Sequence, residues 1–232
     1  MADFTTSRNT ARVEPPRPQP REKVVPPPEG ISRLIEEAAK TPILRLVILA
    51  MHTGMRRGEL LALRWYCVDL EKGFVKVEWS LQRVDGQIVI DKPKSKKSRR
   101  VVPIDEEAVE MLRRMRETSK YDLVFHRGDG TPLDPSTVTH QFARIAERAG
   151  FKGMRFHDQR HIYATYALLA GVDLRVVQEL LGHEDISTTA NTYTHVLEDL
   201  KSDAAKMIAS VLPKTGKRQT SAKPPKNEET ES

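Results

Sequence analysis

Phe74-Val75-Lys76-Val77-Glu78-Trp79, followed by Gln87-Ile88-Val89-Ile90 and Arg100-Val101-Val102-Pro103, is where this chain changes its hydrophobic rhythm. Phe74, Val75, Val77 and Trp79 follow the period of two expected of a strand. Ile88, Val89 and Ile90 read as a second strand and Arg100 to Pro103 as a third. Asp85-Gly86 joins the first two, a pair that accepts the left-handed conformations of a two-residue hairpin. On both sides of this stretch the rhythm is helical. Ile31, Leu34, Ile35 and Ala38 share one helix face. Leu44, Leu46, Val47 and Leu49 belong to a helix that Pro42 can open at its first turn and that stops near Gly54. A third helix starts near Arg57 and carries Leu60, Leu61 and Leu63. Downstream, helices are expected over 105–118 and, behind the candidate caps Asp134, Ser136 and Thr137, to about 149. Further helices follow at about 156–169, 174–181, 186–193 and 197–211. The fold class is α+β, mainly α-helical, with a small three-stranded antiparallel sheet.

Composition limits what surrounds this unit. Pro15, Pro16, Pro18, Pro20 and Pro26 to Pro28 oppose regular structure at the front, so residues 1–29 read as a disordered Pro-rich tail. The mixture of Lys, Glu and Ser after Pro213 makes 213–232 a second disordered tail, leaving 30–212 as the folded domain. The net charge of +6 favours a polyanionic partner. The lone cysteine, Cys67, excludes an intrachain disulfide and suits a reducing compartment. The apolar run at 43–51 contains Arg45 and is too short to span a bilayer, and no signal peptide is visible. The expected setting is therefore cytoplasmic, with no membrane partner.

The chemistry concentrates in the last third. His157 and Arg160 lie three apart, on one helix face. Leu181-Gly182-His183 places a histidine at a helix break, and Tyr193 follows in the polar segment Asn191-Thr192-Tyr193-Thr194-His195. Each alone reads as a structural residue. His157 and His161 have a zinc-ligand spacing, but no third ligand stands out, so metal is not expected. Upstream, Thr53-Gly54-Met55-Arg56-Arg57-Gly58-Glu59-Leu60 sets Arg56 at a loop-to-helix junction, where its fork of donors suits a phosphate. Lys92-Pro93-Lys94-Ser95-Lys96-Lys97-Ser98-Arg99-Arg100 is a dense basic turn between two strands, either a solvated tip or a phosphate contact.

Together these residues resemble the tyrosine recombinase (phage integrase) family, over about 31–211. Thr53 to Leu60 fits the family's Thr-Gly-x-Arg-x-x-Glu-Leu box. Pro93 to Pro103 fits its hairpin-lysine context and selects Lys94. His157 to His161 fits His-x-Leu-Arg-His, with Gln159 where leucine is usual. Leu181 to His183 and Thr189 to His195 supply the last two boxes. The resemblance implies the tyrosine recombinase catalytic-domain fold and site-specific DNA recombination, with strand cleavage and rejoining through a 3′-phosphotyrosyl intermediate. Tyr193 is then the nucleophile. Arg56, Arg160 and His183 hold the phosphate, His157 takes or shares the Tyr193 proton, Lys94 protonates the leaving oxygen, and Glu59 braces the first box. Arg57, Lys92, Lys96, Lys97, Arg99 and Arg100 become candidate DNA contacts. No cofactor is implied, since two guanidinium groups supply the charge a metal would. The implied partner is double-stranded DNA, bound by a homotetramer that is monomeric or weakly associated without it, in the setting of a mobile genetic element. The family usually carries a helical domain before this one, which a partner could supply. Two alternatives remain at this point: a DNA-binding remnant that does not recombine, and a type IB topoisomerase-like relaxing enzyme.

Overall fold

The computed structural model describes residues 24–93, 98–183, 185–194 and 196–198. The expected helix at 197–211 beyond residue 198, the tail from 213 and most of the N-terminal tail therefore lie outside the described residues. The expected tail boundary at 29 falls too late: α1 (Pro28–Ala39) begins at Pro28, and Pro26 O already accepts a hydrogen bond from Tyr166 Oη at 2.8 Å. Proline at the first helical position loses no helical hydrogen bond, which is why this run can start a helix it could not continue.

α2 (Leu44–Thr53) is the apolar axis of the larger core. Leu46, Val47 and Leu49 are almost wholly buried, each worth roughly 1.5–3 kcal/mol of apolar burial. Pro42 stands before this helix rather than in its first turn. α2 ends on Gly54 in the left-handed region, φ 59°. A Cβ there would lie 2.5 Å from the Tyr163 ring, so glycine is required both for conformation and for space. The short α3 (Arg57–Leu61) follows at once and buries Leu60 and Leu61.

Strands lie at 74–77, 87–91 and 100–103 as expected, two more lie at 68–69 and 80–84, and the five are joined differently. β1 (Val68–Asp69), β2 (Phe74–Val77) and β5 (Arg100–Pro103) form the three-stranded antiparallel sheet, in the order β1-β2-β5. β3 (Ser80–Val84) and β4 (Gln87–Asp91) form a separate hairpin around Asp85-Gly86, whose φ values of 48° and 80° are those of a primed turn. Trp79, expected within the first strand, lies between β2 and β3 and donates from Nε1 to Tyr66 Oη at 2.6 Å. The chain leaves the sheet there, so β5 pairs with β2 and not with β4. Val75 and Val102, directly paired, are fully buried; Val84, Ile88 and Val89 on the hairpin are exposed.

α4 (Glu106–Thr118) and α5 (Pro135–Arg148) are capped by Asp105 and Asp134, whose carboxylates accept from backbone N–H groups of the first turn. α6 (Asp158–Leu169), α7 (Leu174–Leu181) and α8 (Ile186–Thr192) complete the described elements. The inner face of α6 packs on α2, while Ala164, Leu168, Val177, Leu181 and Tyr193 form a second, smaller cluster. Among the described residues no helix is long and apolar enough to cross a membrane.

Candidate active site

The C-terminus of α7 gathers three arginines. Leu180 O accepts from Arg100 Nε, Leu181 O from Arg160 Nη2, and Gly182 O from Arg56 Nη2 at 3.0 Å. The last carbonyls of a helix have no partner within it and carry partial negative charge, so they attract cations. Here three successive carbonyls each take a guanidinium arriving from a different part of the chain. Gly182, at φ 65°, closes α7 and sets His183 immediately beyond them.

Glu59, with a side chain only 2% exposed, ties two of these arginines together. Its Oε1 accepts from Arg56 Nη1 at 2.8 Å and Arg100 Nη1 at 3.0 Å, and its Oε2 from Arg100 Nη2 and the Arg56 backbone N–H, both at 2.8 Å. Burial alone would raise its carboxyl, but the hydrogen bonds and charge of Arg100, with the charge of Arg56, hold it below the ordinary carboxylate value. Arg160 is 2% exposed and also donates from Nη1 to Gly54 O at 2.8 Å. Burial, followed by the charges of Arg56 and Arg100, pushes it down to about 9, so it stays protonated at neutral pH. Three guanidinium charges face one carboxylate, and the excess positive charge suits an anion.

Two of these arginines differ in access. The Arg56 side chain is 36% exposed and open to a ligand; that of Arg100 is 6% exposed and spent on Glu59, Leu180 O and Ser98 O. Arg100, expected as a DNA contact, spends its guanidinium on protein acceptors and faces inward. The signal was present in the sequence: a period of two puts Arg100 on the same strand face as the buried Val102.

His183 Nδ1 lies 2.8 Å from Thr189 Oγ1. Burial, then the charges of Arg160 and Arg56, push His183 down to about 4, so its ring is neutral at pH 7. It borders an open cleft of about 770 Å³ lined also by Arg99, Arg100, Arg175, Gln178 and Asp185. Tyr193 caps the end of α8 and is 4% exposed. Burial pushes its hydroxyl up to about 12, against the pull of Arg160. Its Oη lies 3.0 Å from His161 Nδ1. His157, at the N-cap of α6 and exposed, meets His161 edge-on with ring centroids 5.3 Å apart. The contact with the Tyr193 hydroxyl is made by His161, a residue read from the sequence only as the end of a box and half of a discarded zinc pair.

Lys94, Lys96 and Lys97 lie outside the described residues. Lys92 and Arg99, on either side of them, are exposed, whereas Arg57 is half-buried and donates to Thr139 Oγ1 on α5. Among the described residues no three His, Cys, Asp or Glu side chains gather to hold a metal ion.

This arrangement has counterparts among known proteins. The sequence profile of the phage integrase family matches residues 27–199. The chain belongs to that family. A tyrosine recombinase XerC-like protein of Caldanaerobacter subterraneus subsp. tengcongensis is 34% identical over 221 residues, 82% of this chain and 56% of the relative. The chain thus spans a little over half the length of that relative. Among solved structures, the Tn1549 transposon integrase with circular intermediate DNA superposes with a TM-score of 0.71 at 21% identity, over 82% of this chain and 68% of the other. The crystal structure of XerA recombinase gives 0.64 at 28%, over 82% and 67%. The fold is that of tyrosine recombinase catalytic domains.

Proposed function

We propose that this chain cleaves and rejoins DNA strands in site-specific recombination, with Tyr193 as the nucleophile. The observation that carries this reading is the convergence of Arg56, Arg160 and Arg100 on the carbonyls of Leu180 to Gly182, directly before His183. Family membership supports it, as does the DNA bound to the Tn1549 integrase.

The Tyr193 oxygen attacks a backbone phosphorus, and negative charge builds on the equatorial oxygens. Arg56 and Arg160 donate to those oxygens, and neutral His183 adds a donor; stabilisation of this kind is the largest contribution in many enzymes. The bond to the 5′ oxygen breaks, and that oxygen takes a proton from Lys94, a step worth roughly 10²–10⁴ in rate. The products are a 3′-phosphotyrosyl link and a free 5′ hydroxyl, and the reverse attack by another strand rejoins the DNA. Exchange between two duplexes needs four active sites, hence four protomers.

A pool of nicked duplexes with a randomised core tests this reading. A nick beside the cleavage point lets the short product diffuse away and traps the covalent adduct. The expected result is adduct with the wild type and none with Tyr193→Phe; no adduct from any sequence in the pool would leave only DNA binding. Recombinant product between two copies of the recovered site, against relaxation at many sites, then separates a recombinase from a relaxing enzyme.

A further inference from the structure

Arg100 is buried, yet its guanidinium meets three separate segments of the chain. Its Nη1 and Nη2 grip both oxygens of Glu59, at 3.0 and 2.8 Å, the two-pronged geometry that best suits a guanidinium and a carboxylate. Nη1 also donates to Ser98 O at 3.1 Å, and Nε to Leu180 O. Glu59 belongs to α3, Ser98 lies just before β5, and Leu180 is in the last turn of α7. Arg56 meets the same carboxylate differently. From its side chain Nη1 reaches Oε1 of Glu59, while Nη2 goes to Gly182 O at 3.0 Å. A carboxylate has about four acceptor positions, and on Glu59 the two guanidiniums and the Arg56 backbone N–H fill them. Arg56 thus holds Glu59 by a single prong.

We infer that Arg100 is a positioning residue for strand cleavage: by filling the fork of Glu59 it keeps Arg56 from closing onto that carboxylate and leaves it presented to the scissile phosphate. This rests on the cleavage reaction proposed above. The two arginines compete for one buried anion. Without Arg100, both oxygens of Glu59 open to Arg56, and a two-pronged pair with a buried carboxylate is stronger than the single contact it makes now. To form that pair Arg56 gives up Gly182 O, the carbonyl directly before His183, and turns inward the donors that would meet the equatorial oxygens. Leu180 O loses its donor in the same event. The last turn of α7, which also offers Leu181 O to Arg160, is then released at two successive points. Arg100 acts on the reaction in this way without touching DNA. Lysine cannot replace it, because an ammonium is a point charge and does not span both carboxylate oxygens.

The test uses the full chain and Arg100→Lys, which keeps the buried charge and removes the fork. The first readout needs no DNA: the rate at which phenylglyoxal modifies Arg56, located by mass spectrometry. It is expected to fall by about threefold or more, since a guanidinium closed on a buried carboxylate is shielded. The second is single-turnover cleavage of the nicked duplex recovered from the randomised pool, at saturating DNA. Arg100→Lys is expected to slow it by about tenfold or more, with DNA affinity within about threefold of the wild type. The loss should shrink on a duplex with a methylphosphonate at the cleavage point, whose neutral centre demands less of Arg56. A variant that is merely loosened slows both substrates alike. Thermal melting shows whether Arg100→Lys is folded; if it is not, Arg100→Gln, which can still donate one amide hydrogen to Glu59, takes its place. Arg56 reactivity that is unchanged or raised would overturn the inference, as would a wild-type cleavage rate or equal losses on the two substrates. No adduct from the wild type, or adduct retained in Tyr193→Phe, would instead remove the cleavage reaction on which the inference rests, and the Arg56 reactivity would still report on the competition for Glu59.

Discussion

At Gln159 a side-chain amide is buried to 1% exposure, and neither its oxygen nor its nitrogen has a partner among the described residues. An unpaired buried amide costs roughly 1–3 kcal/mol. Gln159→Leu, the residue usual in the resembling box, is expected to stabilise the protein by about 1–2 kcal/mol. Urea unfolding would show this as a higher midpoint with an unchanged slope; a lower midpoint would mean that the amide is satisfied. His183 gives a pH-dependent case. Its folded value of about 4 lies below the ordinary 6.5, so the unfolded chain takes up the proton first as pH falls. The neutral ring's contribution is complete above about 6.5 and is lost progressively down to about 4. The wild-type melting temperature should therefore fall more steeply across that window than that of His183→Gln. Parallel curves would contradict the shift.

Elements meet at two pivots. Gly54 closes α2, lies against Tyr163 and offers its carbonyl to Arg160. Gly54→Ala would pay about 1–2 kcal/mol for the left-handed backbone alone, before the clash with Tyr163. It is expected to lower the melting temperature and, by displacing that carbonyl, to slow adduct formation in the fraction that remains folded. Arg100 joins β5 to α3 and α7 through Glu59 and Leu180 O. Arg100→Ala leaves a buried carboxylate short of donors, and removing one partner of such a pair costs roughly 3–5 kcal/mol. Because Arg100 faces inward, the salt dependence of DNA binding, measured where the variant is folded, should keep its slope. Lys92→Ala or Arg99→Ala should reduce the slope by about one if either side chain meets a phosphate. A reduced slope in Arg100→Ala would contradict the inward assignment.

At the scale of the whole molecule, the helices were legible because caps such as Asp105 and Asp134 and stops such as Gly54 and Gly182 act locally. The strands were legible for the same reason, but their partners were not. Pairing β2 with β5 depends on where the chain turns out of the sheet at Trp79, which a period of two does not encode. The box residues stood out by their spacing, yet their connections did not. Nothing in the linear order says that Arg56, Arg100 and Arg160 share the carbonyls of α7, or that His161 meets Tyr193. Those contacts join residues far apart in sequence and exist only after packing. The central claim is that the Tyr193 oxygen bonds to a DNA phosphate. Proteolysis of the trapped adduct, followed by mass spectrometry of the nucleotide-bearing peptide, tests it most directly. The expected result is a nucleotide attached at Tyr193; attachment at Tyr163, Tyr166 or any other side chain would contradict it.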